Sequence, residues 1–215
     1  MPLLFMLFGY FVIYIIGAPV INFAGSAVQL ILLNDSPDFE VKANDLFTQV
    51  EPEEKAAAVN DEGKIPSSTL VYPVGGDQFG RVVIDKVGID EPLFYGDSED
   101  ILSKGAGQYI GSMIPGDLGT TLIGGHNRPS FGQIHYLEVG DQITIHTHYG
   151  DYTYQVTENR IAHYTDPVID ERLGDKSKHS LILYTCYPLD AIGLTPDRVF
   201  VFADYVSGPI IDGTK

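Results

Sequence analysis

Residues 142–158 read QITIHTHYGDYTYQVTE. Ile143 and Ile145 alternate with polar residues ahead of Tyr149 and Gly150, and Tyr152, Tyr154 and Val156 alternate with polar residues behind them. A two-residue period places alternate side chains on one face of a strand, so this spacing predicts two antiparallel strands joined by a hairpin around Tyr149 and Gly150. Both arms are rich in the β-branched and aromatic residues that suit a pleated, half-buried surface.

Working outward, the same kind of run recurs as RVVIDKV (81–87), TTLIGG (120–125), SLILYT (180–185) and RVFVFADYV (198–206), each of strand length. Turn-rich stretches punctuate them at PGDLG (115–119), EVGD (138–141) and HYGD (148–151). One helical stretch stands out at SEDILSKGAG (98–107), with Ser98 as its N-cap and Gly105 as its stop. Many short strands with few helices predict an all-β domain of about 140 residues, a closed barrel or a sandwich. No internal repeat interrupts it.

The chain has 215 residues, 44% of them hydrophobic and 11% aromatic, with 23 glycines and 13 prolines, enough to bury a core while turning often. Its 29 acidic and 13 basic residues give a net charge of −16, the wrong sign for a protein that binds by neutralising phosphates, so nucleic acid is excluded as a partner. Cysteine occurs once, at Cys186, which rules out an intrachain disulfide and a multi-thiolate zinc site.

The charges are unevenly spread. Between Pro2 and Asn34 there is no Asp, Glu, Lys or Arg. A bilayer span needs about 20 apolar residues, and the run exceeds the apolar region of a secretory signal, so residues 1–34 are expected to form an uncleaved transmembrane helix, kinked near Pro19. A buried core helix, or a signal cleaved around Ala24 to Ala27, is the alternative. Residues 35–69 form an acidic spacer, with acids outnumbering bases nine to three between positions 35 and 68 and short helical turns expected around 41–50 and 53–59. A segment lying over the active site is the other reading of the spacer. Residues 70–208 make the β-domain and 209–215 a C-terminal tail.

Three residues with chemistry stand at strand ends: His126 closes TLIGGH, Cys186 closes LILYTC and Arg198 opens RVFVFAD. A thiol, an imidazole and a guanidinium supply a nucleophile, a proton donor for a leaving amine and a fixed cation for oxyanion charge, the requirements of acyl transfer. Spacing does not show that they converge. Taken singly, Cys186 has an ordinary reading as a buried strand cysteine, His126 as a loop histidine and Arg198 as a surface cation.

The order and wording of segments between Arg81 and Tyr205 resemble the sortase superfamily, the membrane-anchored cysteine transpeptidases of bacterial surfaces. RVVIDKVGIDEPLFYG is similar to that family's paired first strands. ILSKGAGQYIGSMIPGDLGTTLIGGHN resembles its helix, its Gly-Ala-Gly and Pro-Gly turns and its Gly-His strand end, and LILYTC followed by Arg198 in TPDRVFVF matches its Thr-Cys signature and downstream Arg. The resemblance implies a closed sortase-type β-barrel of about eight strands with short helices. It implies Cys186 as nucleophile, His126 as general acid and base, and Arg198 as the oxyanion- or substrate-binding cation. Thr185 and Asn127 are implied as substrate-binding residues, although Asn127 stands where many members carry Arg. No subclass is singled out, and TCYP followed by Asp190 and Ala191 resembles some sortases of Gram-negative bacteria.

The expected function is then a transpeptidase at the cell surface, anchored by a single membrane pass with its catalytic domain outside the cytoplasm. It cleaves a Leu-Pro-x-Thr-Gly-like sorting signal of surface proteins through a thioacyl intermediate and transfers them to an amine acceptor such as a cell-wall peptide. A hydrolytic cysteine peptidase and a non-catalytic, membrane-tethered binding β-domain are the alternatives. The papain, caspase and L,D-transpeptidase signatures around cysteine are absent. No cofactor or metal is required. Two metal readings remain as alternatives: His146 and His148 on one strand face, and a calcium site among Asp151, Glu158, Asp166, Asp170 and Glu171, for which no EF-hand spacing exists. The segment 163–179 is expected to be a loop that recognises substrate or simply crosses over.

Overall fold

The computed structural model describes residues 63–128, 131–189 and 195–214. The expected membrane anchor and most of the spacer lie outside these residues, and among the described residues no helix is long and apolar enough to cross a membrane. The strands are β1 (Lys64–Pro66), β2 (Gln78–Ile84), β3 (Ile89–Tyr95), β4 (Ala106–Gln108), β5 (Thr120–Gly124), β6 (Gln142–Thr147), β7 (Gly150–His163), β8 (Ser180–Tyr187), β9 (Asp197–Ser207) and β10 (Ile210–Asp212). Two short helices, α1 (Glu99–Leu102) and α2 (Pro167–Gly174), sit between them.

Eight strands close into a barrel in the order β2-β3-β4-β5-β8-β9-β7-β6, the closure being the antiparallel pairing of β6 with β2. Of the barrel and the sandwich left open by the strand count, the observed fold is the closed barrel of eight strands that the resemblance implied. β6 and β7 form the expected hairpin, Ile143 opposite Tyr154 and Ile145 opposite Tyr152, all four buried. Thr147 faces Gly150, so the turn residues are His148 and Tyr149, one position earlier than the sequence suggests.

Alternation sorts the wall residues into two faces. Leu181 and Leu183 of β8, Val199, Val201 and Ala203 of β9 and Ile123 of β5 fill the barrel interior. The residues between them, Leu122, Ile182, Phe200 and Phe202, form a second cluster on the outer face, covered by Ile169 of α2. Helix α2 lies within the segment expected to be a loop. Its start is fixed by Asp166, whose carboxylate accepts from Val168 N at 3.0 Å, and by Pro167 in the first turn, where the missing N–H costs nothing.

Two features escape strand counting. The β7–β9 register slips between Val156 and Glu158, an extra residue that bulges the strand and exchanges its faces. Val156 points into the core, whereas Glu158, Arg160 and Ala162 share the outer face with Phe202, Phe200 and Arg198. Strands β1 and β10 pair in parallel outside the barrel, with buried Ile65 opposite buried Ile211. Ordered structure thus takes in the end of the acidic spacer and most of the stretch assigned to a tail.

Candidate active site

Strands β5 and β8 run parallel with Leu122 level with Ile182 and Gly124 level with Tyr184. Strands β8 and β9 run antiparallel with Ile182 opposite Phe202, Tyr184 opposite Phe200 and Cys186 opposite Arg198. Across the three strands these residues make two complete rungs on the outer face, and Cys186 with Arg198 begins a third. His126 stands two residues beyond Gly124, the position from which β5 would complete that rung. Directly opposed antiparallel residues have Cβ atoms about 5 Å apart. Cys186 and Arg198 therefore share one face and one level, and His126 follows the end of the neighbouring strand β5 by two residues. The face is the barrel's outer wall, the one that α2 covers at Leu122, Ile182, Phe200 and Phe202.

Each group is fixed differently. Arg198 is anchored through Nη1, which donates to the Thr195 carbonyl, to Thr195 Oγ1 at 3.3 Å and to the Asp197 carbonyl at 2.8 Å. Cys186 is partly exposed at the end of β8. The His126 carbonyl accepts from Phe131 N at 2.8 Å, and its Nε2 lies 3.4 Å from the Glu99 carboxylate in the first turn of α1. The imidazole is about one-third exposed, so solvent and small solutes reach it.

The two glycines ahead of His126 have a packing reason. A Cβ on Gly124 would lie 2.3 Å from Cζ of Tyr184, and one on Gly125 would lie 2.7 Å from Cγ of Phe131. The Tyr184 ring thus lies across β5, one rung below Cys186, and the buried Phe131 ring packs on the turn. Burial pushes the Tyr184 hydroxyl up to about 12, and the nearby Asp97 carboxylate, to which it is hydrogen-bonded, adds to the rise while Arg198 opposes it. It stays a neutral phenol over any working pH.

Thr185 and Asn127 take part in the framework. Thr185 is 1% exposed, on the interior face, and its hydroxyl donates to the Gly125 carbonyl at 2.8 Å. Asn127 Nδ2 donates to the Leu189 carbonyl at 3.0 Å and, more weakly, approaches that of Pro188 at 3.5 Å. Sequence reasoning missed Glu99, Asp97 and Tyr184, although Tyr184's position two residues before Cys186 on the same strand gave its face.

Three of the five acids suggested for calcium, Glu158, Asp166 and Asp151, are engaged by cations or backbone. Glu158 pairs with Arg160 and Arg172, Asp166 pairs with Arg160 at 2.6 Å besides capping α2, and Asp151 meets His146 Nδ1 at 3.0 Å. His148 directs Nε2 to the Val71 carbonyl at 3.0 Å. Among the described residues no group of three or more His, Cys, Asp or Glu side chains is arranged to hold a metal ion. At the opposite ends of β5 and β8 lies a cavity of about 490 Å³ lined by Lys64, Met113, Asp117, Leu118, His179 and Ile211, remote from this site.

A partly exposed thiol paired across the ladder with an arginine, on an eight-stranded barrel whose neighbouring strand leads into a histidine, suggests a class, and comparison with known proteins gives it a family. Residues 82–206 match the Sortase domain, and the chain belongs to the sortase family. It is 28% identical to Sortase D of Bacillus subtilis (strain 168) over 195 residues, covering 91% of this chain and 97% of that protein. Among solved structures it resembles sortase C from Clostridium perfringens SM101, with 26% identity, a TM-score of 0.55 and coverage of 84% and 97% of the two chains. The fold is shared with a Clostridium perfringens Sortase D5 transpeptidase, with 24% identity, a TM-score of 0.60 and coverage of 78% and 98%. Members of the family are cysteine transpeptidases that act on surface proteins bearing sorting signals and are membrane-associated at the cell surface.

Proposed function

We propose that this chain is a transpeptidase of the bacterial surface in which Cys186 is the nucleophile, His126 the general acid and base, and Arg198 the cation for oxyanion charge. The observation that carries the reading is the pairing of Cys186 with Arg198 across β8 and β9, beside the parallel strand β5 whose end leads two residues on to His126.

The chemistry follows from the groups. The Cys186 thiolate attacks the carbonyl carbon of Thr in a Leu-Pro-x-Thr-Gly-like signal, and negative charge develops on the carbonyl oxygen. Arg198, held by Nη1, turns its remaining N–H donors toward that oxygen. The C–N bond breaks as His126 delivers a proton to the departing Gly amine, leaving a thioester on Cys186. An acceptor amine, such as that of a cell-wall peptide, attacks the thioester, gives its proton to His126 and expels the thiolate. Thiolate and imidazolium must coexist, so the rate is bell-shaped in pH.

The apolar run of residues 1–34 supports a single membrane pass that holds the barrel outside the cytoplasm. Cys186 is the chain's sole thiol, which makes it a reporter of side. A membrane-impermeant maleimide is expected to label it on intact cells.

The activity is tested by incubating the enzyme with a sorting-signal peptide, with and without a peptide amine, and following thioacyl adduct and products by mass spectrometry. Cys186→Ala and His126→Ala are each expected to lower turnover by at least about 10³-fold while the melting curve is retained. Normal turnover by Cys186→Ala refutes the nucleophile. Product that is only hydrolysed at saturating amine makes the enzyme a peptidase.

A further inference from the structure

Of the three candidates, only His126 lies outside a strand. The β5–β8 ladder ends at the Gly124–Tyr184 pair, whereas β8 continues to Tyr187. Nothing in the ladder therefore fixes the imidazole against the sulfur. Other bonds do so on both sides of His126. Before it, Gly125 N donates to the Tyr184 carbonyl at 3.2 Å and Thr185 Oγ1 donates to the Gly125 carbonyl at 2.8 Å. After it, the Asn127 side chain reaches Leu189, three residues beyond Cys186. Both oxygens near Asn127 Nδ2 are backbone carbonyls, which accept only, so the amide must present its NH₂ there and no flipped assignment is compatible. Gly132 packs against the backbone of Asn127 itself, where a Cβ would lie 2.1 Å from the Asn127 carbonyl oxygen.

We propose that Asn127 is a positioning residue, not a substrate contact: its amide ties the chain just after His126 to the chain just after Cys186 and thereby sets the separation of imidazole and sulfur. The inference rests on the reading of Cys186 and His126 as a reacting pair. It replaces the expectation that Asn127 touches substrate, because its donor is committed to the protein backbone. The bond closes the gap that the end of β5 leaves, and with the Thr185 bond it holds His126 by both neighbours. The two ties are unequal. Thr185 is buried, whereas the Asn127 tie is partly exposed and is the one a substitution can open without breaching the core. A misplacement of about 1 Å costs a catalytic pair about a hundredfold in rate.

Asn127→Asp keeps the shape but sets a carboxylate against two carbonyl oxygens, and Asn127→Ala removes the donor outright. Two rates are measured for each, alone and combined with His126→Ala: single-turnover acylation of Cys186 by a sorting-signal peptide, and alkylation of Cys186 by iodoacetamide at neutral pH. Both variants are expected to slow acylation about 10- to 100-fold with the half-saturating peptide concentration changed less than about twofold. Both are expected to slow alkylation, because a displaced imidazole supports the thiolate less. In the His126→Ala background the same substitutions are expected to add nothing to either rate, as a residue acting only through the imidazole requires. A raised half-saturating concentration with an unchanged maximal rate makes Asn127 a substrate contact, and equal slowing with and without His126 puts its effect elsewhere; either overturns the proposal. Alkylation needs no peptide. If wild-type enzyme is never acylated, the transpeptidase reading fails while the alkylation cycle still decides the role of Asn127.

Discussion

At the scale of single residues, the glycine pair before His126 separates two kinds of crowding. A methyl on Gly125 meets Cγ and Cβ of Phe131, atoms near that residue's backbone and fully buried. A methyl on Gly124 meets Cζ, Cε1 and the hydroxyl of Tyr184, the far end of a side chain that can swing. Gly125→Ala is therefore expected to cost about 1–3 kcal/mol in urea unfolding, the range for overpacked cores, and Gly124→Ala less. Gly124→Ala carries the larger penalty in turnover relative to its stability loss, since the displaced ring lies one rung below Cys186. The reverse order of stabilities counts against this packing. A second residue-scale prediction concerns Asp117, in the cavity at the opposite end. Burial holds its carboxyl above the ordinary 3.8, with His179 opposing. The folded state thus binds this proton more tightly than the unfolded chain, so the contribution to stability declines as pH rises from 3.8 through the raised folded value and stays unfavourable above it. Asp117→Asn is expected to gain under about 1 kcal/mol at pH 7, small because the side chain is half exposed, and nothing near pH 3. Thermal melts at the two pH values check it; an equal gain at both would show that charge is not the cause.

Among the elements, α2 matters most to the barrel's outer wall. It covers the outer cluster of Leu122, Ile182, Phe200 and Phe202 with one buried side chain, Ile169, helped by Val168 and Leu173 and by Arg172 over the Phe202 ring at 5.2 Å. A helix of eight residues is too short to persist in water on its own propensity, so its docking holds it. Ile169→Ala is expected to cost about 2–4 kcal/mol in local stability and to expose residues 164–179 to proteolysis before the barrel unfolds. Cleavage there at the wild-type rate would show that other contacts hold α2. What was legible in the sequence divides along the same line. The β6–β7 hairpin could be read because Ile143, Ile145, Tyr152 and Tyr154 report a local two-residue period, and His126, Cys186 and Arg198 could be placed at strand ends for the same reason. Helix α2 was hidden because one buried isoleucine in a polar segment leaves almost no helical period; only the Asp166–Pro167 start pointed to it. The bulge at Val156–Glu158 was invisible, since one extra residue in an alternating run looks like continued alternation, yet it turns Glu158 and Arg160 to the outer face. Strands β1 and β10, three residues each, exist only by pairing across nearly the whole described chain. Asn127 could be singled out, but its partner at Leu189 depends on the β5–β8 register, which no local pattern encodes.

For the whole molecule, closure and charge set the remaining expectations. A barrel leaves no unpaired edge for another chain to extend, and here the seam is the β2–β6 ladder, where Val82 and Ile145 meet in the core. That ladder and the β5–β8 and β7–β9 pairings are distant in sequence, so the site assembles only as the barrel closes. The charge balance opposes compactness: 29 acids against 13 bases leave −16. Exposed pairs offset little of it. Lys86 bridges Glu138 and Asp141 at 2.7 and 2.8 Å, and Lys178 meets Asp204 at 2.7 Å, exposed contacts that solvent screens. Salt distinguishes the two effects by range. Raising ionic strength from about 0.01 to 0.1 M shortens the screening length from about 30 to 10 Å, which cuts repulsion across the domain while leaving contacts under 3 Å well inside it. The melting temperature is therefore expected to rise with NaCl over this interval. It should do so more at pH 7 than at pH 4, where protonated carboxylates have already removed much of the repulsion. A melting temperature that falls with salt at pH 7 would mean that the surface ion pairs, not the net charge, dominate the electrostatics of this fold.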